Sequence, residues 1–118
     1  MAAGTGVTVW HNPRCSNSRG VLQLLRERGI EPLVVDYQAN PPDRATLLRV
    51  AADSGLGLRG LVRDKEPEFA ALGLADAGEA TLLDAMLAHP RLINRPVVIT
   101  ARGTRLCRPP ETVLELLD

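Results

Sequence analysis

The stretch TVWHNPRCSNSRG, Thr8 to Gly20, runs from a short apolar segment through His-Asn-Pro to a single cysteine where a helix begins. Val7 to Trp10 shows no polar alternation and reads as a strand buried on both faces. Ser16 to Arg28 reads as a helix, with Val21, Leu24 and Leu25 at core spacing and Gly29 as its stop. Cys15 therefore falls at a helix N-terminus. The free N–H groups there carry about half a positive charge and can draw a thiol pKa from about 8.5 into the ~3.5–7.5 range. Pro13 stiffens the approach, and Ser16 and Ser18 can add hydroxyl donors. The competing reading is an inert cysteine in a tight loop; the strand-to-helix junction favours the reactive thiol.

Working outward, Glu31 to Tyr37 (EPLVVDY) reads as a second strand, and QANPPDR turns into a helix over about Asp43 to Ser54, with Leu47, Leu48 and Ala51 inside. Short helical pieces follow in GLRGLVRD and PEFAALG, then a helix from Ala80 to Ala88 carrying Leu82, Leu83, Met86 and Leu87. RPVVIT and TRLCR are two strands around the turn ARG, and Pro110 to Leu117 is a last amphipathic helix. The order is β-α-β, a helical insertion, then β-β-α. It requires a parallel pair with a right-handed crossover and a hairpin added to the same sheet. The expected fold is α/β, thioredoxin/glutaredoxin-like: a four-stranded mixed sheet flanked by helices, with a helical insertion over about 43–90 between the second and third strands. The whole of 1–118 is expected to be one domain.

Composition sets limits. A chain of 118 residues, 45% apolar, 24% charged and with formal net charge zero, is large enough for one core. Balanced charge argues against broad binding to nucleic acid or an anionic membrane. Lys65 is the only lysine among 14 basic residues, so the position of each arginine, the side chain suited to bidentate oxyanion binding, carries weight. Two distant cysteines, an opening MAAGTGVTVW unlike a secretory signal, and no apolar run near the roughly 20 residues of a membrane span predict a cytoplasmic protein with reduced thiols. A monomer is the default, and no metal site is expected.

His11, four residues before Cys15, either stabilises a thiolate or shuttles its proton, or is a hydrogen-bonded strand end. His89 sits in a helix's last turn, where histidine suits the dipole. Among the arginines, Arg95 and Arg108 stand at the two ends of the hairpin strands and so come together in space. A thiolate facing guanidinium groups is suited to attack an oxyanion that would otherwise repel it. Arg63 follows Leu61-Val62 in the insertion. Pro96 opens a strand where thioredoxin-type folds hold a cis-proline opposite the reactive cysteine. Cys107 alternates away from Arg108 and reads as core.

The segments HNPRCSNSR, GLVRDKEPEFAALGL, HPRLINRPVVIT and GTRLCRPPETVLELL together resemble the glutaredoxin-coupled arsenate reductases, over about residues 7 to 117. With Ser16-Asn17-Ser18 after the cysteine, the chain is most similar to the shorter chromosomal branch of that family. The resemblance implies that Cys15 is the nucleophile, that His11 helps keep its thiol ionised, and that Arg63, Arg95 and Arg108 bind the oxyanion; Asn12, Ser16, Ser18 and Pro96 are expected to support the loop. It further implies reduction of arsenate to arsenite with glutathione as cosubstrate, no bound cofactor, and glutaredoxin as partner. The missing second cysteine of a C-x-x-C is then supplied by glutathione. Two alternatives stand beside it. One is a glutathione-dependent oxidoreductase acting on another substrate. The other is a redox-sensing regulator similar to the Spx proteins, which bind RNA polymerase; Ser18 stands where their second cysteine falls, against that reading.

Overall fold

Strand, loop and helix follow one another at the start of the chain as the hydrophobic pattern dictates. The computed structural model describes residues 6–117. These fall into two compact units, one running to Asn40 and resuming at Arg95, the other Pro41–Asn94. The first holds β1 (Thr8–His11), α1 (Ser16–Glu27), β2 (Leu33–Asp36), β3 (Val97–Thr100), β4 (Gly103–Leu106) and a closing 3-10 helix, Pro110–Leu116. Its sheet order is β2-β1-β3-β4. β2 pairs parallel to β1, β3 antiparallel to β1, and β4 antiparallel to β3. The C-terminal end of β1, the start of β3 and the end of β4 thus meet at one end of the sheet.

Val9 and Val98 face each other across β1 and β3. With Val7 and Cys107 they pack against Val21, Leu22 and Leu25 of α1 and against Val113 and Leu116. On neighbouring positions Trp10 pairs with Val97, and its ring lies 6.5 Å from that of buried Tyr37. Helix α1 ends in a Schellman motif: Gly29 N–H donates to Arg26 and Ile30 N–H to Leu25, while Gly29 takes φ 76°. Ile30 then packs on the cluster that contains Leu25.

The second unit is the expected helical insertion, slightly wider than 43–90. It contains α2 (Arg44–Asp53), α3 (Gly57–Leu61), α4 (Pro67–Ala71) and α5 (Glu79–Ala88), with 3-10 turns at Leu74–Asp76 and Pro90–Leu92. Asp43 caps α2 by accepting from Thr46 N–H at 2.8 Å. Leu47, Val50 and Ala51 of α2, Leu58 and Leu61 of α3, and Leu82, Leu83 and Met86 of α5 are buried.

Two expectations need correction. Leu48 is exposed, and Val50, three residues after Leu47, takes the inward position. The last helix is 3-10, not α. Pro109 and Pro110 remove the first donors, and residues three apart, Val113 and Leu116, eclipse on one side and both reach the core. Among the described residues no helix is long and apolar enough to cross a membrane.

Candidate active site

Asn12, Pro13, Arg14 and Cys15 form a β-turn in which Cys15 N–H donates to the Asn12 carbonyl at 2.9 Å. Asparagine at its first position and proline at its second are what such a turn favours. Asn12, buried, uses its side chain as well: Oδ1 accepts from Arg14 N–H at 2.9 Å. The turn is tied to α1 at two further points. Asn12 N–H donates to the Oγ of fully buried Ser18 at 3.3 Å, and Arg19 Nη1 donates to the Pro13 carbonyl at 2.8 Å. Cys15 itself is the N-cap of α1, in extended backbone (φ −95°, ψ 123°), and Ser16 is the first helical residue.

Several groups act on the Cys15 thiol. Partial burial, the largest effect, pushes its pKa up. The Ser18 and Asn17 amides, the Ser18 hydroxyl and the Arg108 guanidinium together outweigh it and bring the thiol down to about 7. Because Ser18 Oγ already accepts from Asn12, its hydroxyl hydrogen is left for the sulfur. Arg108 Nη1 lies 3.7 Å from Cys15 Sγ and also donates to the Arg95 carbonyl at 2.9 Å. The Arg95–Pro96 peptide bond is cis, as is Arg108–Pro109.

His11 behaves differently from a fixed cation. Burial first, then the positive charges of Arg26 and Arg19, lower its pKa, with Asp36 opposing. Its buried Nδ1 has no hydrogen-bond partner among the described residues. The imidazole is therefore held neutral at pH 7, and the charge facing the sulfur is that of Arg108. Cys107 is fully buried, donates weakly to the Arg105 carbonyl at 3.8 Å, and has its pKa pushed up by burial to about 12. It is core.

Arg63 belongs to the helical unit. There its Nε donates to Glu66 Oε2 at 3.0 Å and its Nη1 to Asn94 Oδ1 at 3.4 Å. The first unit thus brings together Cys15, Ser18, Arg108 and the Arg95–Pro96 peptide, while Arg63 is built into its own network. Two residues were not anticipated. Arg19, one helical turn after Cys15, was readable from its spacing, whereas Glu66 is one acidic residue among many, marked only by standing three positions after Arg63. Among the described residues no group of three or more histidine, cysteine or acidic side chains is arranged to hold a metal ion.

Comparison with known proteins matches residues 10–116 to the family model described as "ArsC family". The arsenate reductase of Rhizobium meliloti (strain 1021) is 53% identical over 113 residues, covering 94% of this chain and 81% of that protein. A shorter relative, Uncharacterized protein YfgD of Escherichia coli (strain K12), is 45% identical over 114 residues, covering 94% of this chain and 96% of that protein. Among solved structures, the arsenate reductase from Vibrio cholerae superposes with a TM-score of 0.92 at 40% identity, covering 98% of this chain and all of that one.

Proposed function

The chain belongs to the ArsC family, and from that premise we propose that it reduces arsenate to arsenite through the Cys15 thiolate. The observation that carries the reading is the thiol itself. It stands at the N-terminus of α1 with its pKa near 7 and the Arg108 guanidinium against the sulfur. A thiol so poised is about half ionised at neutral pH, and the positive charge that ionises it also receives an anionic substrate.

The thiolate attacks arsenic(V), forming a sulfur–arsenic bond as one arsenic–oxygen bond breaks and its oxygen leaves, protonated, as water. The glutathione thiol then replaces a second oxygen on arsenic, its proton leaving with that oxygen as water, so that both sulfurs are bonded to arsenic. A disulfide then forms between Cys15 and glutathione, the two electrons given up by the sulfurs pass to arsenic, and arsenic(III) departs as arsenite. Glutaredoxin exchanges the glutathione off Cys15 and restores the thiol. Arg108, fixed by the Arg95 carbonyl, stabilises the charge on the arsenate oxygens during attack. Arg63 and Arg95 complete the oxyanion set by resemblance. His11, being neutral, serves as a hydrogen-bonding or proton-transfer group. Glutathione as cosubstrate, glutaredoxin as partner, a cytoplasmic setting and a monomeric enzyme without a bound cofactor are part of the same proposal.

The test is NADPH-coupled turnover of arsenate with glutathione, glutathione reductase and glutaredoxin. Wild-type protein should sustain turnover, and Cys15→Ser should reduce it to the protein-free rate. Equal rates for the two proteins would remove Cys15 as the nucleophile.

A further inference from the structure

Arg63 is held more tightly than its half-buried position alone requires. Its backbone N–H donates to Leu92 at 2.6 Å, and Val62 forms an isolated antiparallel bridge with Ile93. The chain then turns, Glu66 N–H reaching the Arg63 carbonyl at 3.4 Å, which brings the Glu66 side chain over the guanidinium. Glu66 uses both oxygens. Oε2 accepts from Arg63 Nε at 3.0 Å, and Oε1 accepts from Arg91 Nη2 at 3.0 Å and Nε at 3.3 Å. The Glu66 and Arg63 side chains are only 14% and 21% exposed, against 55% for Arg91. The pair is therefore shielded and Arg91 braces it from the solvent side. With Nε on Glu66 and Nη1 on Asn94, Arg63 Nη2 has no hydrogen-bond partner among the described residues.

Resting on the reading that Arg63 binds the oxyanion, we propose that Glu66 is a positioning residue that sets arsenate affinity: braced by Arg91, it fixes the Arg63 guanidinium so that Nη2 is left for the substrate. Holding a long arginine in advance removes the ordering cost that binding would otherwise incur. Arg63 and Arg91 both bond the Glu66 carboxylate, and Glu68 Oε2 stands 3.8 Å from Arg91 Nε, so these four charges balance and what Glu66 gives Arg63 is a fixed position.

The experiment measures two quantities on Glu66→Ala, Glu66→Gln, Arg63→Ala and the Arg63→Ala/Glu66→Ala double variant. One is arsenate KM and kcat in the coupled assay. The other is the arsenate concentration that half-protects Cys15 from alkylation, which needs no turnover. Glu66→Ala should raise both arsenate constants about twofold to tenfold, the worth of immobilising one rotamer-rich side chain, with kcat unchanged. Glu66→Gln, which keeps an acceptor oxygen for only one arginine, should fall between wild type and Glu66→Ala and covers the case in which the alanine variant folds poorly. In the Arg63→Ala background, Glu66→Ala should add nothing. Overturning results are a Glu66→Ala protein that binds arsenate as tightly as wild type or more tightly while Arg63→Ala binds it weakly, or fully additive effects. Unchanged arsenate constants in Arg63→Ala would instead overturn the assignment of Arg63 to the oxyanion, and this role of Glu66 with it.

Discussion

Raising the pH through about 7 turns Cys15 from thiol to thiolate, so its alkylation rate should climb across that range and level off above about pH 8. Because amides, the Ser18 hydroxyl and Arg108 hold the pKa down against burial, Arg108→Ala and Ser18→Ala should each move the midpoint of that profile upward. A midpoint unmoved in both variants would mean that neither group acts on the sulfur. The position of Cys15 was legible because strand, turn residues and helix start are all local signals. The contact with Arg108 was legible one step further out, through the hairpin that returns its end to β1. The neutrality of His11 was not legible, since it arises from burial and from Arg26 and Arg19, whose distances only the folded chain defines. Glu66 was missed for a related reason: a carboxylate three positions from an arginine is commonplace until its burial and its second arginine are seen.

Helix α1 and the closing 3-10 helix meet at Gly20, where an added Cβ would sit 2.9 Å from Pro110 Cγ and 3.2 Å from its Cβ. Alanine is ordinarily the better helix residue by about 1 kcal/mol. Here the proline ring cannot swing aside, so Gly20→Ala should instead destabilise the protein by about 1–3 kcal/mol, the usual range for overpacking, measured by urea denaturation. A variant as stable as wild type would show that Pro110 yields. Elements with a strong period and a stop signal, such as α1 with Gly29, are legible to within a residue. In the closing helix an apolar spacing of three suits an α-helix as well as a 3-10 helix. Two prolines at its start and the reach of Val113 and Leu116 decide for 3-10. On α2 the spacing allowed either Leu48 or Val50 inward, and packing of the helical unit selects Val50.

The whole chain contains two cysteines, of which Cys15 is partly exposed and Cys107 is sealed in the core with its pKa near 12. A disulfide-exchange reagent at pH 8 should therefore count one thiol in the native protein and two in denaturant. Two reactive thiols in native buffer would contradict the burial of Cys107. The parallel pair, the added hairpin and the helical insertion are legible from element order, while the edge of β1 that the hairpin joins is set by tertiary pairing of β3 with β1. The division at Asn40 and Asn94 lies slightly outside the expected 43–90, because the turn Pro41-Pro42 and the stretch after Ala88 pack with the helices. One consequence reaches beyond the finished molecule. Cys15 and the arginine that touches it are 93 residues apart in sequence. During synthesis the cysteine leaves the ribosome long before its guanidinium partner exists, and the full set of groups that ionise it forms only when the C-terminal hairpin closes on β1. Until then its thiol lacks the Arg108 contribution and the core that orders its loop, so the complete set of groups acting on the sulfur belongs to the folded chain alone.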